Sequence, residues 1–372
     1  MKKRSRWHRS GPTIRSMKGM VWWLLASASV IAASTDGAEL ILSTGTVGRK
    51  TTKLMAQSQS LVALSLRREA VESAKVTRVE DDRLVFTRGS VWESDQWAGD
   101  AGAHVAVIGS GQAEGHSFTI RSHSGNALTL ETGEFSLVTL GVEAGDLVRI
   151  HPRWTLGTAF PPEAFNSPTG PVDPEHLSGL TLHRLLVPAT SINPTASESW
   201  IFRDGAWRSA SDPDGPATDN SVLAAGDYLI VRNENETLWF SSFGDVTMHA
   251  NVVLLSRRVD GPVDNTKTVL NPLPVTLRDS GLIESAAFRS SIDGLRRSDM
   301  VVVYDYSEPG DAPAVIAFYI YHGGGWRKLG EPLHLDFGSD LLQGPHRAAF
   351  IRTGSQESAE TVVWRHEPIY LR

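Results

Sequence analysis

Beyond residue 38, apolar positions fall in short runs and alternations broken by Gly, Asn and Asp. Val76, Val79, Leu84 and Phe86 flank a polar turn at residues 80–83. Residues 104–108 are an apolar run, and residues 116–122 alternate polar with apolar. A Ser-Gly-Asn turn at 124–126 leads into 127–130, and an Ala-Gly-Asp turn at 144–146 leads into 147–150. Alternation of period two between turn residues predicts strands, and a turn every ~8–12 residues predicts a small sandwich or barrel. Residues 72–157 therefore read as one β-domain. Ahead of it, residues 39–71 hold two short apolar runs, 40–42 and 61–66, expected as N-terminal strands.

Two internal repeats organise this pattern. Within the β-domain, Val76, Leu84, Phe86 and Gly89 align at an offset of 44 with Ile120, Leu128, Leu130 and Gly133. Chance likeness between hairpins and true duplication explain that match equally well. The second repeat, at an offset near 119, is clearer. Ile201-Phe-Arg-Asp-Gly-Ala-Trp-Arg208 matches Ile320-Tyr-His-Gly-Gly-Gly-Trp-Arg327, and each copy ends in a strand carrying Trp, at Trp239 and Trp364. The unit reads as an aromatic strand, a Gly turn, and a Trp that covers the hairpin face. Between the β-domain and the repeats, residues 160–176 contain five prolines, too many for a helix or central strand, so 158–176 reads as a linker. Repeat one is placed at 177–255 and repeat two at 256–372, with short helical turns expected in 176–186 and 281–297. The predicted fold class is all-β: a small barrel or sandwich domain followed by a duplicated sandwich-like region.

The first 38 residues are a different object, with seven Lys/Arg, one acid and a short apolar run at 20–33. A basic start, a short apolar core and small residues after it predict a secretory signal peptide; the run falls short of the ~20 residues that span a bilayer. Cleavage after Ser34, Gly37 or Ala38 is chemically acceptable, with Asp36 disfavouring the last. The predicted address is the periplasm, outer surface or exterior. Beyond residue 38 there are 29 Lys/Arg against 41 Asp/Glu, a net charge of about −12, which disfavours nucleic acid and anionic lipid as partners. No later run reaches membrane length. Zero Cys removes thiol chemistry, disulfides and thiolate-held metals.

Residues 117–120, 126–130, 144–161, 318–328 and 349–352, in that order, resemble an uncharacterised family of exported, β-rich proteins found as many paralogues in Verrucomicrobia-type bacteria. The likeness implies a secreted or envelope protein and carries over no activity and no site residues. The charged stretch at 67–72 and the acidic turn Asp81-Asp82 depart from it.

Candidate chemistry is sparse. The run Gly109-Ser-Gly-Gln-Ala-Glu-Gly115 follows a strand, but it precedes another strand and its third glycine comes one residue late, so it reads as a hairpin loop rather than a dinucleotide fingerprint. Asp212, Asp214, Asp219 and Asn220 surround a Gly turn and offer hard oxygens to calcium, though without the closing bidentate Glu. The twelve His have no metal-ligand spacing and read as scattered turn and surface residues. No nucleophile elbow or Ser/His/Asp arrangement is present. Of eight Trp beyond residue 38, Trp207 and Trp326 are expected in the core, while Trp92 and Trp97 are the expected exposed aromatics for stacking on sugar rings. The leading expectation is a non-enzymatic binding or adhesion protein for polysaccharide. A structural component that assembles with other envelope proteins comes second, and a carboxylate-based glycan hydrolase or lyase third.

Overall fold

The structure, a computed structural model, describes residues 46–87, 92–93, 96–98, 104–186, 195–294, 298–310 and 314–372. The leader assigned to 1–38 and the strand expected at 40–42 lie outside them. The described chain opens on β1 (Val47–Leu54) and β2 (Ser58–Ala63). Next come β3 (Glu72–Val79), β4 (Arg83–Phe86), β5 (His104–Ile108), β6 (Ser117–Ser124), β7 (Ala127–Glu131) and β8 (Leu147–Pro152), which close a barrel in the order β3-β4-β7-β6-β5-β8. Alternate residues of a barrel strand point inward, and Val76, Leu84, Phe86, Ile120, Leu128 and Leu130 are all buried there. The first three barrel strands start 43 to 45 residues before the last three. Exchanging the two triplets leaves the neighbour order unchanged, so the offset-44 match reflects a two-fold repeat in space.

The chain continues through β9 (Trp154–Thr155), the one-turn helix α1 (Leu156–Ala159), β10 (Phe165–Ser167), β11 (Gly170–Pro171), β12 (Leu180–Leu186), β13 (Thr195–Arg203), β14 (Ala206–Ser209), β15 (Val222–Leu223), β16 (Tyr228–Asn233) and β17 (Leu238–Asp245). With β1 and β2 these form one sheet in the order β14-β13-β12-β16-β2 and another in the order β1-β17-β10-β11. Phe160, Phe165, Trp207 and Phe240 lie in the core they enclose. A second copy follows: β18 (Asn251–Arg257), β19 (Val263–Asn265), β20 (Val275–Thr276), β21 (Asp299–Asp305), β22 (Ala314–His322), β23 (Gly325–Lys328), β24 (Leu341–Gln343), β25 (Arg347–Thr353) and β26 (Glu360–His366). Its main sheet, β23-β22-β21-β25-β19, repeats the first strand for strand; β18-β26 repeats β1-β17, and β20-β24 repeats β9-β15. From β12 to β16, five successive strand starts are displaced by 119 residues in the second copy.

The barrel is an insertion in the first copy. Ninety residues separate β2 from β9, whereas nine separate β19 from β20. Its entry and exit strands, β3 and β8, pair with each other (Glu72 opposite Ile150), so the chain enters and leaves side by side. That geometry is what a domain inserted into a surface loop requires. The two copies then meet through Leu61, Tyr228, Tyr306, Ala348 and Phe350, which share one apolar cluster.

Four expectations need correction. The proline-rich stretch 158–176 is not a linker: Ala159, Phe160, Ala164 and Phe165 are buried, and Phe160 stacks on Phe240 at 4.8 Å. The prolines gather at the short 3-10 turns Pro162–Ala164 and Pro174–Gly179 and in the β10–β11 hairpin, which leaves Phe165–Ser167 free to pair with β17. The N-terminal strands belong to the first sandwich, and β18, placed at the end of repeat one, pairs with β26 of the second. The helical turn expected in 176–186 is instead a 3-10 turn running into β12, and the described part of 281–297 holds no helix. Finally, Trp239 and Trp364 are not equivalent: Trp239 is 40% exposed and Trp364 2%.

Candidate functional site

The indoles expected on the surface are inside the barrel. Trp92 and Trp97 are 6% and 7% exposed. Trp92 meets Phe86, Trp97 and His123 edge-on at 5.3, 6.2 and 5.8 Å, and Trp97 meets His104 at 5.2 Å. A small barrel must fill its interior with side chains, and each indole brings a large apolar area to that task. Their faces are spent on one another, which corrects the expectation that they stack on sugar.

The acidic loop is likewise committed elsewhere. The Asp214 carboxylate pairs with Arg203 at 2.9 Å, and Asp219 Oδ1 accepts the Trp207 backbone N–H at 3.0 Å. Asp336 accepts the Trp326 N–H at 3.0 Å in the second copy, so this contact is part of the repeated hairpin. The Asp212 carbonyl accepts the Gly215 N–H, and Asn220 is exposed. Among the described residues no group of three or more His, Asp or Glu is arranged to hold a metal, so the four calcium candidates are not brought together. The glycine-rich loop joins β5 to β6, and it docks on the second copy. A Cβ at Gly115 would lie 2.4 Å from the Ala250 carbonyl oxygen, and Arg365 donates to the Glu114 carbonyl at 2.8 Å.

Two surfaces emerge that the sequence pattern did not single out. The first is the outer face of β1 and β17. Leu238 and Phe240 turn inward, leaving Trp239 (40% exposed) and Phe243 (54% exposed) on the opposite face of the same strand. Four strand residues span about 13 Å. Across the ladder, Lys53 is opposite Trp239, Thr51 opposite Ser241 and Arg49 opposite Phe243. The Arg49 guanidinium lies 5.3 Å from the Phe243 ring centre and donates to Ser241 Oγ at 3.0 Å. The face thus offers two aromatic platforms interleaved with hydroxyl and cationic donors. A lone exposed Trp in a sequence carries no such signal; only the register of β1 against β17 assembles it.

The second is a cleft of about 270 Å³ where the barrel joins the two sandwiches. Arg67 and Arg68 lead into the barrel, His151 and Arg153 lead out, and Lys267 comes from the second copy. Asp245 and Arg67 exchange backbone hydrogen bonds, and a Cβ on Gly244 would sit 2.1 Å from the Arg67 carbonyl oxygen, so only glycine fits there. Burial pulls the Arg67 guanidinium down to about 10, with Asp245 opposing the shift. Burial, reinforced by Arg67, holds the His151 imidazole down at about 4, and burial does the same to His249. His151 Nδ1 donates to the Arg68 carbonyl at 2.8 Å, which keeps the neutral ring oriented.

No family model, curated protein or solved structure matches this chain. What the fold and its surfaces define is an all-β protein of two repeated sandwiches with an inserted barrel, an architecture compatible with a binding or structural role. Among the described residues no helix is long and apolar enough to cross a membrane.

Proposed function

We propose that this is an exported, non-enzymatic binding protein that engages polysaccharide through the outer face of β1 and β17. The observation that carries the reading is the pair Trp239 and Phe243, exposed on one strand face and flanked by Arg49, Thr51 and Lys53. Flat aromatic faces cover the apolar side of a sugar ring, while hydroxyl and cationic neighbours meet its hydroxyls. An extended sheet face suits an extended chain better than a small solute. The basic and then apolar pattern of residues 1–38, and the resemblance to exported paralogous proteins, support placing that face outside the cytoplasm.

Tryptophan fluorescence titrations against a panel of soluble neutral and acidic glycans test the reading. A saturable change with at least one glycan, absent in Trp239→Ala, is the expected result. A panel that leaves the emission unchanged and gives no binding by calorimetry would overturn it, and self-association under the same conditions would turn attention to surface assembly.

A further inference from the structure

We propose that the cleft between the barrel and the two sandwiches is a second binding site, for a hydroxylated organic anion of monosaccharide size such as a sugar acid. The site differs from the Trp239 surface in its cationic lining, although Arg68 and Trp154 also border a neighbouring hollow that reaches Phe243 at the end of β17. Its lining includes four cations, Arg67, Arg68, Arg153 and Lys267, and no carboxylate, on a chain whose net charge is −6. Gathering that many positive charges in one concavity of an acidic protein is costly unless an anion shares the space.

The cations are also under-partnered. Arg67 is buried, its Nε has no partner, and one terminal nitrogen reaches Ser117 Oγ at 3.3 Å. Arg68 donates to the Arg153 carbonyl at 3.4 Å. Neither they nor Arg153 form an ion pair among the described residues; burial disfavours the charged forms of Arg67 and Arg153, opposed from a distance by Asp245 at Arg67 and by Asp227 and Glu131 at Arg153. Lys267 differs, being bound to Asp227, which also holds Arg184. The guanidinium fork matches carboxylate, sulfate and phosphate oxygens in geometry.

Size and apolar lining narrow the class. A bare inorganic oxyanion would leave most of the roughly 270 Å³ unfilled. Val105, Trp154, Val253 and Leu270 also line the space, and they suit the carbon skeleton of an organic anion. Three separate parts of the chain meet here, so a ligand bound in the cleft tightens the barrel against both sandwiches.

The test is calorimetry and thermal unfolding of the full chain with glucuronate, galacturonate, inorganic sulfate and neutral glucose. The uronates are expected to bind and raise Tm, with affinity falling as salt rises, while glucose and sulfate do little. Arg153→Gln should weaken uronate binding by roughly 10–100-fold, the loss of one hydrogen bond to a charged group. Its unliganded Tm should stay unchanged, because Arg153 holds no structural partner. Arg68→Gln provides a second variant with the same expected loss of uronate affinity, its own bond to the Arg153 carbonyl making its unliganded Tm a separate readout. Uronate binding should persist in Trp239→Ala/Phe243→Ala, which separates this site from the sheet face. Binding by none of the anions, equal binding of sulfate and uronate, or uronate affinity unchanged in both arginine variants would overturn the proposal.

Discussion

The two sandwiches share a ladder and differ in what they do with it. At the first residue of the central strand of the main sheet, the first copy has Leu180 and the second has Asp299, 119 residues later; both are buried. At the end of β1 the first copy has buried Leu54, and at the end of the matching β18 the second has buried Arg257. Where the first copy closes with an apolar core, the second closes with an ion pair of 2.8 Å, and Asp299 also accepts the Arg289 and Gly354 backbone N–H groups. The outer faces diverge too. The β1–β17 face of the first copy presents Trp239 and Phe243, whereas on the matching β18–β26 face Arg365 pairs with Glu114 of the barrel loop at 3.2 Å. One frame therefore supports an exposed aromatic surface in one copy and a docking surface for the barrel in the other.

The largest expected effects break this comparison at its core. Asp299→Ala leaves Arg257 buried without its partner and two N–H groups unsatisfied, and should cost about 3–5 kcal/mol by denaturant unfolding. Trp207→Ala and Trp326→Ala each empty the equivalent hairpin and should each cost about 3–5 kcal/mol. A large cost in one copy with none in the other would break the equivalence of the two hairpins.

Acidification should act mainly at the junction. His151 and His249 stay neutral in the folded protein until about pH 4, whereas in the unfolded chain they take up protons near 6.5. Their contribution is fully present above pH ~6.5 and is lost as pH falls towards 4. Unfolding at pH 5 should show about 1–2 kcal/mol less stability from each than at pH 7. Stability flat across this window would contradict their burial as neutral rings. Gly244→Ala forces the Arg67 carbonyl away from the first sandwich and should cost roughly 1–3 kcal/mol. The smallest effect belongs to the exposed pair of Arg203 and Asp214: Asp214→Asn should change stability by less than ~0.5 kcal/mol.

Much of the frame was legible because it rests on local signals. Turn residues and period-two alternation define the barrel strands, and the Gly-x-Trp-Arg hairpin occurs where the strands from β12 to β16 repeat. What pairs across long separations was not legible. Nothing near Val47 announces that β1 lies beside β17, nearly two hundred residues on, and so the exposed face they form was missed. Proline content predicted a linker over 160–176, but β10 pairs there with both β17 and β11, and the stretch is buried through Phe160 and Phe165, which carry that signal where prolines do not. The same blindness to depth misplaced Trp92 and Trp97. The cleft draws its cations from positions 67, 68, 153 and 267, a spacing with no motif.

The measurement that tests the central claim most directly is native affinity electrophoresis of the full chain in gels containing each glycan, run beside Trp239→Ala/Phe243→Ala. The account predicts retardation of the unaltered protein by at least one glycan, and free migration of a double variant whose unfolding midpoint is unchanged. Equal retardation of both proteins would contradict it.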